Sequence, residues 1–321
     1  MTFRIRRREF IAGLGVGLFA VPAIVRAEAE PIVIRAGALK LIHSIAPYFY
    51  DRFVPPGYKI EVLPFETPTE CKNAVVTKSV DFGTFGIAAA ILGGAVGEPV
   101  VVVGALSNKG MGVISKAGSD IKTVKDLKGK RVGIWPGSTQ EVFIMERLRM
   151  EGLSIKDVTP VRVPFGEMPA MLARGDVDAY VGAEPGPALS ITSGAGQLVE
   201  YPYSTPMGGL NMIFGTHEDT VAKNPDLVRT MLKTHRQAVE FMMANKPLVT
   251  DMTVQKLGAN RAAVDQALGA NNVEYVWKLD GTVQGQAKTY AQQMLELKQI
   301  RALPKFDTFL NPTFSNELGS S

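Results

Sequence analysis

The feature that most constrains this chain is a strand–helix rhythm that runs once, stops and starts again. Ile32–Gly37 is a β-branched run, Ser44–Phe53 reads as a helix, and Tyr58–Phe65 alternates as a strand does. Thr67-Pro68-Thr69-Glu70 then opens a helix, because Thr67 can cap it, Pro68 suits its first position and Glu70 closes a capping box. A strand at Val80–Phe85 and a helix from Ile87 follow, and Pro99–Leu106 is the uninterrupted apolar run of a buried parallel strand. The rhythm restarts with a strand at Lys130–Ile134 and a second capping box, Ser138 with Glu141, whose helix Gly152 ends. Val158–Val163 is a strand, Met168–Ala173 a helix stopped by Gly175, and Val177–Gly182 a strand. One more strand, Leu210–Gly215, precedes a largely helical remainder with long helices from Asn224-Pro225-Asp226 and over Val283–Gln299. This order predicts an α/β protein with two lobes, each a doubly wound sheet.

Two segments look like copies of one unit. Val76–Gly83 and Leu172–Ala179 each end a helix, turn, and enter a strand at Val-Asp, with a glycine-bearing loop beyond it. Any helix-to-strand turn resembles another, so the repeat stands beside that plainer reading. Asn108-Lys109-Gly110-Met111-Gly112 and Gly208-Gly209 lie in extended segments that flank the second half. They predict two crossings, with 30–108 plus 216–321 as lobe I and 109–215 as lobe II. Paired crossings make a hinge, and closure about it traps a ligand in the cleft.

Residues 1–29 read as a Tat-type signal peptide. Arg7-Arg8-Glu9-Phe10-Ile11 is a twin-arginine core, an uncharged stretch runs from Ile11 to Val25, and cleavage is expected after Ala27 or Ala29. The apolar stretch is short for a membrane anchor, the other reading, which needs roughly 20 residues. The leader also explains the charge. The chain carries +4, but five of its 35 basic and one of its 31 acidic residues fall within 1–27, which leaves 30 of each. A neutral mature chain offers no case for nucleic acid. With Cys71 the single cysteine, no internal disulfide can form, and a hydrophobic core has to stabilise the lobes instead.

The chain resembles the periplasmic binding proteins for nitrate, sulfonates, taurine and the thiamine pyrimidine precursor. The resemblance rests on Ser79-Val80-Asp81-Phe82-Gly83, Asp126-Leu127-Lys128-Gly129-Lys130-Arg131-Val132-Gly133, Gly137-Ser138, Arg174-Gly175-Asp176-Val177-Asp178-Ala179 and Glu184-Pro185. It implies a two-lobed periplasmic binding protein fold with a two-strand hinge, and an ABC permease with its ATPase as partners. Family members often carry an aromatic residue before the acid-proline pair; here Ala183 stands there, which weakens transfer of any one ligand.

Ligands of open α/β sheets sit beyond the carboxyl ends of strands, which selects five loops. Lys40 and His43 follow the first strand, Thr67 caps the next helix, and Thr84 and Phe85 lie in a glycine-flanked loop where one can hydrogen-bond and the other stack. Ser138 and Thr139 open the second-lobe helix, whose N-terminus suits an anion, and Trp135 just before it can line the cleft or fill the core. Glu184 can accept from an ammonium or a ring N–H, or pair with a basic residue near the hinge; Phe165 adds an aromatic face. Each of these also has a plain structural use, as solvated loop, cap or core.

An anion at Ser138 with an ammonium at Glu184 describes a zwitterion such as taurine. A flat nitrogen heterocycle stacked by Phe85 and Phe165 is the rival ligand. Catalysis has little support: His43, His217 and His235 are the only histidines, no HExxH or Gly-x-Ser-x-Gly occurs, and no Cys/His cluster suggests zinc. The expectation is therefore a monomeric periplasmic solute carrier without cofactor or metal. The pyrimidine synthase of thiamine biosynthesis shares the fold but carries a cysteine-rich motif that this chain lacks, and a ligand-presenting sensor subunit is the remaining class. Met231, Leu232, Val239, Phe241 and Met242 follow helical spacing as core, and Phe306–Ser321 reads as a loose tail.

Overall fold

A computed structural model describes residues 30–269 and 272–319. The twin-arginine leader and its cleavage sites lie outside them. Pro31–Ser321 is one compact unit that contains two sheets. The strands are β1 (Ile32–Leu39), β2 (Tyr58–Phe65), β3 (Phe82–Gly86), β4 (Val100–Lys109), β5 (Met111–Lys116), β6 (Arg131–Ile134), β7 (Thr159–Arg162), β8 (Ala179–Ala183), β9 (Gly196–Glu200), β10 (Leu210–His217) and β11 (Val273–Tyr275). The first sheet has the order β11-β4-β10-β3-β1-β2 and the second β7-β6-β8-β5-β9. In the first, β2, β1 and β3 run parallel, while β10 is antiparallel to both β3 and β4. In the second, β6 is parallel to β7 and β8, and β5 is antiparallel to β8 and β9.

The chain passes from one sheet to the other at Gly110, the residue between β4 and β5, whose φ is +72°. It returns between Glu200 and Leu210, and β10 pairs in the first sheet along its whole length. β4, expected as a buried parallel strand, pairs antiparallel with β10 and β11, and β9 and the three-residue β11 carry no signal that the sequence reading used. Ser44–Phe53, expected as a helix, forms 3-10 turns at Ile42–Ser44 and Ala46–Arg52. Its proline and aromatics explain the difference: Pro47 donates nothing, and Phe49 and Tyr50 are drawn wholly into the core.

The two Val-Asp units are the same device used twice. Asp81 accepts from the backbone N–H, Nε and a terminal nitrogen of Arg35 at 2.8, 3.2 and 2.9 Å, and Arg35 also donates to the Lys78 carbonyl at 3.0 Å. Asp178 accepts from the same three groups of Arg131 at 2.8, 3.2 and 2.7 Å, and Arg131 donates to the Gly175 carbonyl at 2.8 Å. Each pair pins the entry of one strand to its parallel neighbour. At this exposure a pair is worth about 1 kcal/mol or less, so its effect is on register more than on stability.

The helix Pro225–Ala244 packs Met231, Leu232, Val239 and Met242 inward as its spacing requires, with Phe241 half-buried. The C-terminal segment corrects an expectation. It forms short helices at Phe306–Phe309 and Thr313–Gly319, Phe309 and Phe314 are buried, and Leu310 bridges to Val102 of β4. The apolar residues 309, 310 and 314 hold it on the first sheet, where burial of each is worth about 2 kcal/mol. Among the described residues no helix is long and apolar enough to cross a membrane.

Candidate functional site

His43 and Thr139 are drawn together around the end of β4. His43 is fully buried, and its Nε2 lies 3.2 Å from the Lys109 carbonyl. Asn211, on β10, donates from Nδ2 to the same carbonyl at 2.6 Å. Thr139 donates from Oγ1 to the Asn211 carbonyl at 3.4 Å. It also crowds the other lobe, because a Cβ built on Gly86 would lie 2.6 Å from its hydroxyl oxygen. Gly86 is therefore the residue that lets the second-lobe helix Thr139–Met150 approach β3.

The chemistry of this junction follows from one tautomer. A carbonyl only accepts, so the His43 nitrogen facing Lys109 carries the proton and Nδ1 is a bare acceptor. Burial pushes the ring down to about 4, against the pull of the Lys109, Gly110 and Glu184 carbonyls, so it is neutral at physiological pH. Among the described residues His43 Nδ1 has no hydrogen-bond partner, and neither has Oδ1 of the fully buried Asn211. Two residues that share the Lys109 carbonyl thus each keep a buried acceptor without a donor, which costs about 1–3 kcal/mol for each until a donor arrives.

Trp135 and Arg162 stand at the ends of β6 and β7. The Arg162 guanidinium lies 4.6 Å from the Trp135 ring centroid, and Trp135 Nε1 is a buried donor without a partner among the described residues. Ser138 caps the adjacent helix by accepting from the Glu141 N–H at 3.1 Å. The expected capping box is only half made: the Glu141 carboxylate accepts instead from the Gly137 N–H at 2.8 Å and from Gln299 at 3.0 Å. Burial raises the Glu141 carboxyl.

The other candidates serve the scaffold. Lys40 is exposed and ion-paired with Glu66. Thr67 caps its helix in a complete box: its hydroxyl accepts from the Glu70 N–H at 3.3 Å and its own N–H donates to the Glu70 carboxylate at 3.2 Å. Thr84 spends its hydroxyl inside the first sheet, on the Gly37 carbonyl at 3.0 Å and on Ser44. Phe85 is fully buried with its ring against the backbone of Gly83 and Gly215, so it fills core where a stacking face was expected. Phe165 is likewise a core ring. Among the described residues Glu184 meets no basic residue: it accepts from Asn272 Nδ2 at 2.6 Å and from the Ala188 N–H at 3.0 Å.

Asn211, Arg162 and Asn272 were not singled out from the sequence. The one signal for Arg162 was its place at the carboxyl end of a parallel strand. A groove of about 670 Å³ lies elsewhere, at the opposite end of β4, lined by Glu98, Val101, Glu218, Leu303 and Asp307 among others; it contains none of the candidates.

Comparison with known proteins bears on the family and the fold. A family model described as NMT1/THI5 like matches residues 53–247. A protein named as an aliphatic sulfonates-binding protein of Escherichia coli (strain K12) is 26% identical over 231 residues, 71% of this chain and 72% of that protein. The 4-amino-5-hydroxymethyl-2-methylpyrimidine phosphate synthase of Schizosaccharomyces pombe is 24% identical over 208 residues, 61% of this chain and 59% of the enzyme. Among solved structures, the alkanesulfonate-binding protein SsuA from Xanthomonas axonopodis pv. citri bound to MOPS superposes with a TM-score of 0.77 at 23% identity. That match covers 88% of this chain and 99% of the other. The fold is the two-lobed periplasmic binding protein fold.

Proposed function

Since the chain belongs to the NMT1/THI5-like family, we propose that it is the periplasmic solute-binding component of an ABC importer for a small sulfonate that also bears a hydrogen-bond donor, taurine being the simplest. The observation that carries this reading is the pair of unpartnered buried acceptors, His43 Nδ1 and Asn211 Oδ1, close to the N-terminus of the helix Thr139–Met150. The acceptors favour an ammonium or N–H, and the helix end with Arg162 favours the anionic group. The two lobes close around the solute, with crossings at Gly110 and between Glu200 and Leu210 as the hinge. Export goes with the twin-arginine segment Arg7-Arg8-Glu9-Phe10-Ile11, and a permease with its ATPase receives the solute.

Here the amine-accepting role moves from Glu184, whose two oxygens are already engaged, to His43 and Asn211. The heterocycle reading loses its two stacking rings, because Phe85 and Phe165 are core. A catalytic thiol finds no support either: Cys71 is fully buried and its thiol is pushed far up by that burial.

Isothermal titration in phosphate buffer, which keeps sulfonate buffers out of the site, tests the proposal. Taurine is expected to bind at least tenfold tighter than ethanesulfonate, and Asn211→Leu to erase that difference. Equal binding of the two by the unaltered protein sinks the donor-bearing ligand. Absence of binding by any sulfonate, with binding of a pyrimidine, transfers the site to the rival ligand.

A further inference from the structure

Gly110 is the pivot at which β4 of the first sheet gives way to β5 of the second. On one side of it Lys109 pairs with Val273 of β11, and on the other Met111 pairs with Ala183 of β8. The residue before β11 is Asn272 and the residue after β8 is Glu184, so each stands one step beyond the last pair. Their side chains meet across the pivot, Asn272 Nδ2 donating to Glu184 Oε1 at 2.6 Å. Both residues are buried.

The contact is tied into both crossings. The Glu184 N–H donates to the Gly110 carbonyl at 2.9 Å, and its second oxygen accepts from the Ala188 N–H at 3.0 Å. Tyr203 belongs to the returning segment. Its hydroxyl accepts from the Met111 N–H at 2.5 Å and lies within donating distance of the Met111 carbonyl, 3.0 Å, and of Asn272 Oδ1, 3.3 Å. One polar chain therefore joins β11, the exit of β8, the pivot and the return crossing.

We propose that the Asn272–Glu184 contact is a strut across the hinge that sets the resting angle between the lobes. Both residues are then positioning residues, which act on ligand capture without touching the ligand. The proposal rests on the reading that the lobes close around a solute: apparent affinity scales with the fraction of molecules in the binding-competent arrangement, so a strut that biases the angle biases affinity.

Among the described residues no cation is ion-paired with the Glu184 carboxyl. Its titratable surroundings are Tyr180 on β8, Tyr201 and Tyr203 on the return segment, and the neutral ring of His43, while Lys109 is ion-paired with Glu274 on β11. Burial raises the carboxyl to about 7.

Spin labels on cysteines at Val96, in the first lobe, and Leu198, in the second, give the interlobe distance, since both positions are exposed and the native Cys71 is fully buried. Asn272→Leu removes the donor and is expected to widen the distance distribution without ligand and to weaken taurine binding roughly tenfold, as for loss of one buried hydrogen bond to a charged group. Asn272→Asp makes a carboxyl pair. At pH 5 one shared proton restores the contact and near-parental distances are expected; at pH 8 two like charges repel and the lobes open. Reversible cycling of that variant between the two pH values separates the strut from misfolding, should the leucine variant not fold. Parental distances in both variants at both pH values overturn the proposal. The ligand-free distances test the strut by themselves, whereas a parent whose lobes do not move on addition of taurine or MOPS overturns the carrier reading alone.

Discussion

Gly110→Ala is expected to be the most damaging single-methyl change in the hinge. A Cβ at this position would lie 1.8 Å from His43 Nε2 and 2.5 Å from Cε1 of the same ring. The ring cannot step aside cheaply, because it is fully buried. The backbone adds to the cost: φ is +72°, and a left-handed conformation costs a residue with a Cβ about 1–2 kcal/mol. With overpacking of roughly 1–3 kcal/mol, the total is about 2–5 kcal/mol, or a fall in Tm of roughly 10 °C. Displacing the ring also removes the Nε2 contact with Lys109 and reorients Nδ1, so sulfonate affinity should fall at least a hundredfold. The double variant Gly110→Ala, His43→Ala should recover the steric part of the Tm loss and none of the backbone part. Thermal melts and titrations of the two variants check this. A single variant with parental Tm would show that the ring has room to move.

The second large effect is on acid stability. His235 is fully buried, stacked on Phe214 with centroids 4.6 Å apart, and both its nitrogens are engaged. Its Nε2 lies 2.7 Å from the Ala105 carbonyl and so carries the proton, which leaves Nδ1 to accept from the Tyr50 hydroxyl at 2.8 Å. Burial pushes both His235 and His43 down to about 4. A depressed histidine contributes stability that is present above its unfolded value near 6.5 and lost as pH falls through 4. Each is worth about 3 kcal/mol over that interval, and His217, lowered mainly by burial, adds in the same direction.

Glu184 has the opposite sign. Its raised value of about 7 gives stability that is present below roughly 4.5 and lost as pH rises through 7, again about 3 kcal/mol. Between pH 6.5 and 4.5 it therefore offsets about one histidine, and below 4.5 nothing offsets the pair. Denaturant unfolding at stepped pH should show stability falling steeply from about pH 5 to 4. His235→Phe keeps the ring stack but strands Tyr50 and the Ala105 carbonyl. It should be less stable at pH 7 by about 2 kcal/mol and lose close to half of the acid slope. An unchanged slope would show that His235 titrates normally.

Much of the fold was legible in the sequence because its signals are local. Thr67 and Ser138 cap where the spacing places them, and Gly175 stops its helix in a left-handed conformation. Val80-Asp81 and Val177-Asp178 mark equivalent strand entries, since each aspartate binds the arginine of its neighbour strand. The candidate site, which remains a proposal, was legible only in part. The helix end at Ser138–Thr139 and the loop at His43 could be read from strand order, but the two aromatics could not. Both faces of β3 are buried, so no alternation tells whether Phe85 faces cleft or core. Asn211 and Asn272 act through residues about 100 positions away, Lys109 and Glu184, and no spacing rule connects them. The tail was misread because its polar residues dominate its composition while three apolar ones do the anchoring.

The route of the chain through its two sheets bears on the order in which they can be finished. Every strand of the second sheet lies between residues 111 and 200, so that sheet is complete once residue 200 has been made. The first sheet is still split at that moment. Its β3 and β4 were synthesised long before, yet they are joined only through β10, which begins at Leu210. Until that strand arrives, two unpaired edges stand open on a half-built sheet, and such edges pair readily with other chains. The gap between β3 and β4 closes when one late strand enters the middle of an early sheet, and the far edge of β4 waits for β11, later still.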